Sequence, residues 1–300
     1  MPRFAANLHY LFTELAFLDR FEAAAAAGFR GVEFQVPYDF PGSELRARLH
    51  ANRLEMALFD APMGDWSRGE RGLAAVPGRE AQFRASIDRV IEYAEVLGCN
   101  TVHVMAGVVG ARDRARAEQA YVDNLRWACT RLAPHSIAVV IEPINGKLGD
   151  ERNGPSYTTR GMRGYFLNHT DQARRIIEQV GSDNLFLHLD CYHMQLLEGH
   201  LADTIRAHIG IVRHFQIAGV PGRHEPDVGE VHYPYLFDLM DELGYRGWVG
   251  CEYRPRSDTW TGLGWAAKYG IAAGRGGVSS DAMAVARSDR ARHALPPPKR

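Results

Sequence analysis

Ile137-Ala-Val-Val-Ile-Glu142, Leu185-Phe-Leu-His-Leu-Asp190, Val212-Arg-His-Phe-Gln-Ile217 and Trp248-Val-Gly-Cys-Glu252 are short apolar runs. Each closes on or near an oxygen-bearing side chain. Runs of this length and composition read as strands buried on both faces, as in a parallel sheet. Four more lie upstream: Arg3–Asn7, Gly31-Val-Glu-Phe-Gln35, Leu54–Phe59 and Thr101-Val-His-Val-Met105. Helical stripes separate them. The first is Leu18, Phe21 and Ala25, followed by a short stretch around Glu44–Ala51. Phe83, Ile87, Val90, Ile91, Ala94 and Leu97 fall on one helix face, which Gly98 ends. Tyr121, Leu125, Ala128 and Leu132 form the next stripe, and Ala173, Ile176, Ile177 and Val180 the one after. Leu201, Ile205 and His208, then Leu236, Leu239, Met240 and Leu243, complete the series. Eight strands alternating with helices over about 250 residues predict an α/β fold, a (β/α)8 TIM barrel. A doubly wound open sheet normally carries a Gly-rich nucleotide turn after its first strand. Asn7-Leu8-His9-Tyr10 stands there instead.

The chain has 300 residues, 46% of them hydrophobic and 24% charged, which fits a globular protein and not a disordered one. Its net charge of −1 argues against a dedicated nucleic-acid binder. No run approaches the ~18 consecutive apolar residues of a membrane helix. The N-terminus lacks a secretory apolar segment. Cys99, Cys129, Cys191 and Cys251 are far apart and form no CxxC pair. Reduced thiols in a cytoplasmic protein are the expectation. Residues 270–300 differ in kind, with six Lys/Arg against two Asp, a net of +4 that leaves −5 for residues 1–269. We expect one catalytic barrel over 1–269 and a solvated, low-complexity basic tail over 270–300. An assembly of identical chains stays open.

Barrel enzymes carry their chemistry at the C-terminal ends of the strands. Those ends present Glu142, Asp190, Gln216 and Glu252. Any one acid alone has about even odds of capping a helix or pairing with an arginine, but four neighbouring strand ends make coincidence a weak explanation. Three carboxylates and an amide oxygen sharing one basin repel unless a cation joins them. An all-oxygen set suits Mg²⁺ or Mn²⁺ better than zinc. His193, three residues after Asp190 in a strand-end loop, is placed to meet a bound substrate. Arg223, in Gly219-Val-Pro-Gly-Arg-His-Glu-Pro226, offers a fork for a substrate carboxylate, with a solvated loop charge as the equal alternative. His103 and Glu33 near other strand ends rank second. Serine-nucleophile, phosphate-loop and HExxH signatures are absent.

These residues sit in familiar strings. Gly28-Phe-Arg-Gly-Val-Glu-Phe34, Gly64-Asp-Trp66, Gly69-Glu-Arg-Gly72, Pro77-Gly-Arg-Glu80, Ile141-Glu-Pro-Ile-Asn145, Asp190-Cys-Tyr-His-Met-Gln195, Gly229-Glu230 and Gly250-Cys-Glu-Tyr253 span most of the chain. Over roughly residues 1–265 the sequence resembles the hydroxypyruvate isomerase family of the xylose-isomerase-like TIM barrels. The resemblance implies Glu142 and Glu252 as acid–base catalysts and Glu142, Asp190, Gln216 and Glu252 as metal ligands. It implies interconversion of hydroxypyruvate and 2-hydroxy-3-oxopropanoate by metal-assisted proton transfer through an enediolate. Three features depart from that pattern: a longer 146–165 loop, Asp60 where relatives carry Asn, and the 270–300 tail.

The nearest rival is a 2-oxo-tetronate isomerase, which Arg3–Leu8, His103-Val-Met-Ala-Gly107 and Gln216-Ile-Ala-Gly219 also resemble. A metal-dependent DNA-repair endonuclease is a remote alternative, disfavoured by Gln216 in place of a histidine. A non-catalytic sugar-acid binder ranks low because both glutamates are present. The expected partner is a small hydroxy or oxo acid, not a nucleic acid or a membrane.

Overall fold

The computed structural model describes residues 1–148 and 160–272. Strands β1 (Arg3–Asn7), β2 (Gly31–Glu33), β3 (Glu55–Asp60), β4 (Thr101–His103), β5 (Ala138–Ile141), β6 (Leu185–Asp190), β7 (Val212–Ile217) and β8 (Trp248–Cys251) close into one parallel barrel in sequence order. The seam between β8 and β1 pairs Ala5 with Gly250. Helices α1 (Arg20–Ala26), α2 (Gly42–Ala51), α3 (Glu80–Leu97), α4 (Arg114–Leu132) and α5 (Thr170–Val180) return the chain between the earlier strands. Helices α6 (Cys191–Leu197), α7 (Leu201–His208), α8 (Tyr233–Glu242) and α9 (Thr259–Gly262) serve the later ones. Barrel closure removes the exposed edges that a short-stranded sheet would otherwise present.

The strands read from sequence are the strands observed, within a residue or two at their ends. β6 and β7 keep their expected bounds, whereas β5 and β8 stop at Ile141 and Cys251. Glu142 and Glu252 therefore stand one residue beyond the paired backbone, where side chains leave the ladder for the mouth. In α3 the expected stripe is buried, from Phe83 to Leu97, and Gly98 takes the left-handed conformation (φ 66°) that ends the helix. One element differs from expectation. The segment after β6 is not a loop but the helix α6, whose N-terminus Asp190 caps by accepting from the Tyr192 amide at 2.8 Å. An aspartate that ends a strand and caps a helix leaves almost no loop between them.

The C-terminal boundary also shifts. Ile271 is buried and the Ala272 amide donates to the Ala27 carbonyl, so residues 270–272 pack on the barrel. Phe4 of β1 meets Phe237 of α8, Trp265 and Tyr269 at ring distances of 5.2–5.3 Å, which anchors the segment ahead of them. The rest of the expected tail, from 273, lies outside the described residues, as do residues 149–159 of the long loop.

Glycines in the barrel wall make room for the interior. A side chain at Gly31 would meet the Trp248 ring at 2.7 Å, and one at Gly250 would run into the Glu33 carboxylate. We expect Gly250→Ala to cost about 1–3 kcal/mol through overpacking, read as a lower urea midpoint with an unchanged slope. An unchanged midpoint would show that Glu33 is free to move aside.

Candidate active site

Side chains two apart along each strand point into the barrel. That places His188 beneath Asp190, His214 beneath Gln216 and Gly250 beneath Glu252. Glu33 lies at the centre of this deeper layer and is fully buried. It accepts from His214 Nε2 at 2.6 Å, Gln216 Nε2 at 2.6 Å and Asn7 Nδ2 at 3.0 Å. These bonds cross from β2 to β7 and β1. The rings of His103, His188 and His214 follow edge to face at 5.2 and 5.0 Å.

Above this layer the structure brings Glu142, Gln216, Glu252, His193 and Arg223 around one cavity of about 30 Å³, with Asn7, Gln35, Asp60, His103, His188 and Trp66 also at its wall. Asp190 stands directly behind it. Arg223 Nη2 donates to Asp190 Oδ2 at 2.9 Å and to Glu252 Oε1 at 2.5 Å. The guanidinium also lies over the rings of Tyr10 and Tyr192, 5.1 and 4.9 Å from their centroids. The alternative of a solvated loop charge is thus overturned: Arg223 is 1% exposed. Its left-handed backbone (φ 57°) turns the side chain inward, and its carbonyl accepts from the Arg254 amide. Glu252 Oε2 accepts in addition from Asn7 Nδ2 at 3.1 Å and Gln35 Nε2 at 3.3 Å.

The electrostatics follow from burial. Desolvation pushes Glu142 well above the usual carboxylate range, and the nearby charges of Asp190 and Glu252 add to it. Desolvation likewise raises Asp190 and pushes Glu252 up to about 8, with Arg223 opposing both shifts. Burial works against the charge on Arg223, but Tyr10, Glu252 and Asp190 outweigh it and keep its pKa above the ordinary value. His193 and His188 are held well below their usual values by desolvation, so both rings are neutral.

The residues present fit a divalent cation. Gln216 spends its amide nitrogen on Glu33, which leaves Oε1 buried and without a hydrogen-bond partner. Ligand atoms of Glu142, Asp190 and His193 lie within 4.8 Å of one another, and those of His103, Glu142 and His188 form a second such group. Crowded, buried carboxylates beside an orphaned amide oxygen are the donor chemistry of a hard cation.

Residues of two loop segments line the cavity. In the first, Gly64 (φ 86°) has no room for a side chain because Glu70 lies against it. Glu70 pairs with Arg79 at 2.8 Å, Asp65 caps the turn by accepting from the Ser67 amide, and Arg71 stacks on Trp66 at 3.7 Å. These are the Gly-Asp-Trp, Gly-Glu-Arg-Gly and Pro-Gly-Arg-Glu strings, assembled into one unit that sets Trp66 at the mouth. In the second, Ile144 and Met162 reach the cavity from the two ends of the long loop. Asp60, the departure from the usual Asn, contacts His103 Nδ1 at 3.1 Å.

Sequence reasoning ranked Glu33 and His103 second and missed His188, His214, Asn7 and Asn145. The first two of those four carried a signal, since each lies two residues before a named strand-end residue. A larger cavity, of about 810 Å³, opens at the opposite end of the barrel among Arg3, Arg46, Arg213 and Arg246. It gathers no cluster of carboxylates and histidines, and barrel chemistry sits at the other face.

The profile of the xylose isomerase-like TIM barrel family matches residues 21–270. The chain is 55% identical to a 2-oxo-tetronate isomerase of Cupriavidus necator, over 90% of this chain and 99% of that protein. It is 43% identical to a hydroxypyruvate isomerase of Escherichia coli, over 90% and 100%. A crystal structure from Brucella melitensis, described as an AP endonuclease of family 2, matches with a TM-score of 0.83 at 46% identity, over 90% and 99%. A closed eight-stranded barrel, a carboxylate-rich mouth and relatives this similar over nearly their whole length lead to one conclusion: the chain belongs to the xylose isomerase-like TIM barrel family, among isomerases related to hydroxypyruvate isomerase and 2-oxo-tetronate isomerase.

Proposed function

We propose that the protein moves the carbonyl of a short 2-oxo-3-hydroxy acid to the neighbouring carbon, through an enediolate, with Glu142 and Glu252 transferring the proton. The observation that carries this reading is that two buried glutamates, Glu142 and Glu252, share one small cavity with His193 beside them; burial raises the proton affinity of both. A carboxylate whose pKa approaches the working pH can both take and return a proton.

Hydroxypyruvate and 2-oxo-tetronate share the reacting unit and differ by one CH₂OH group. Relatives named 2-oxo-tetronate isomerase at 55%, 45% and 42% identity support the four-carbon acid as the preferred substrate. Hydroxypyruvate stands second, supported by the 43% identical isomerase and by Trp66 and Ile144, from the two strings that resemble that family, at the cavity wall.

Glu142, Asp190, Gln216 and Glu252 would hold Mg²⁺ or Mn²⁺. When bound, the cation polarises the substrate's carbonyl and hydroxyl and makes the adjacent C–H more acidic. Glu142 and Glu252 then work from two sides of the cavity as base and acid. His193, neutral, donates a hydrogen bond to a substrate oxygen. Arg223 orients Glu252 and Asp190 and would meet the substrate carboxylate from the same guanidinium. The carboxylates and buried amide oxygen on the cavity wall, together with a net charge of −1 for the chain, support a cation and a small acid over DNA. The four cysteines are buried free thiols, which supports a reducing compartment, the cytoplasm. Among the described residues no helix is long and apolar enough to cross a membrane.

Glu142→Gln and Glu252→Gln should each lower kcat by about 10²-fold or more while the circular dichroism spectrum stays native. Steady-state rates on both acids, with solvent-proton exchange followed in D₂O, measure this. Near-normal turnover by either variant removes that residue from the mechanism, and nicking of abasic-site DNA at comparable speed would overturn the isomerase reading.

A pH effect accompanies the raised carboxylates. Glu252 rises from an ordinary 4.5 to about 8 in the folded chain. The stability gained by keeping that proton is complete below about 4.5 and is lost as the pH climbs through about 8. A cation must displace the proton, so it binds more tightly as pH rises. In chelator the melting temperature should fall between about pH 6 and 8, and the rise on adding Mg²⁺ should widen over the same window. A flat profile in chelator would mean that the carboxylates are already ionised without a cation.

A further inference from the structure

We propose that Asn145 is a positioning residue: its carboxamide locks His193 as the Nε2–H tautomer, so His193 donates to a substrate oxygen and does not ligate the cation. The groups that orient the carboxamide each have a single hydrogen-bonding sense. The Leu148 backbone amide donates to Asn145 Oδ1 at 3.1 Å. The Arg160 carbonyl, which can only accept, takes a hydrogen from Asn145 Nδ2 at 2.6 Å. These two bonds fix which end of the carboxamide is oxygen and which is nitrogen. The second Nδ2 hydrogen is left for His193 Nδ1, 2.8 Å away. A nitrogen that receives a hydrogen bond cannot carry its own proton, so the proton of the neutral ring is on Nε2.

Nε2 lies 3.5 Å from Asp190 Oδ2 and 3.8 Å from Glu142 Oε1. By distance alone His193 belongs with those two as a ligand. Ligation through Nε2 would move the proton to Nδ1, against the hydrogen of Asn145. The amide therefore separates the donor histidine from the oxygen ligands.

The cradle is built for this. Asn145 is fully buried, and the Met162 amide donates to its carbonyl at 2.8 Å. A Cβ at Gly161 would stand 2.6 Å from Asn145 Oδ1. Both ends of the long 146–165 loop thus converge on one carboxamide. The role given to the Nε2 proton rests on the isomerase reading; the tautomer does not.

The test is ¹⁵N NMR of histidine-labelled, full-length protein with Mg²⁺, with the His193 signals assigned by their loss in His193→Gln. We expect wild type to show a bare Nδ1 and a protonated Nε2. Asn145→Asp, which can only accept, should place a proton on Nδ1, and Asn145→Ala should give a mixture of tautomers. Both should lower kcat by about tenfold to a hundredfold with a smaller change in KM, and His193→Gln should bind Mg²⁺ as wild type does. A proton on Nδ1 in wild type, a bare Nδ1 in Asn145→Asp, or weakened Mg²⁺ binding by His193→Gln overturns the proposal. Failure of the isomerase reading looks different: the expected tautomer in a wild type that turns over neither acid.

Discussion

Arg223 between Asp190 and Glu252 is the interaction on which the mouth of the barrel depends. Three carboxylates at the end of an apolar barrel would each meet a desolvation cost of several kcal/mol if left ionised and alone. One buried guanidinium, shared by two of them and stacked near two tyrosine rings, offsets part of that cost. Glu142 has no such bond, and it is the carboxylate driven well above its usual range. The site therefore keeps an excess of proton affinity beside a fixed positive charge. That imbalance supports the proposed roles of the pocket, cation binding and proton transfer.

Below the mouth, Glu33 organises the barrel interior. By accepting from His214, Gln216 and Asn7 it sets the sense of the Gln216 amide and fixes Asn7, which in turn reaches Glu252. Gly250 permits this because only hydrogen fits under the Glu33 carboxylate. A volume left open in the wall thus becomes an orientation at the site. The loops act in the same manner from above: ion pairing within 64–79 sets Trp66, and backbone bonds from 148 and 160 set Asn145.

Much of this was legible in the chain. The eight runs, the helical stripes between them and the oxygen-bearing residues at four strand ends are local patterns, because side-chain direction along a strand repeats every two residues whatever the surroundings. The helix after β6 was not legible: Cys191–Leu197 is barely two turns, and its cap is the same aspartate that ends the strand. Arg223 was equally ambiguous, since a loop arginine looks alike whether it faces water or two carboxylates.

The amino-acid order alone determined the barrel and the set of residues at its rim, because periodicity and strand ends are properties of short stretches. Tertiary structure alone decided which rim groups are buried, which are paired and which are oriented. Those outcomes depend on burial and on bonds that cross the barrel, from Glu33 to Gln216, from Arg223 to Asp190 and from Asn145 to His193. The partners come from different strands and loops, and only closure of the sheet brings them within hydrogen-bonding distance.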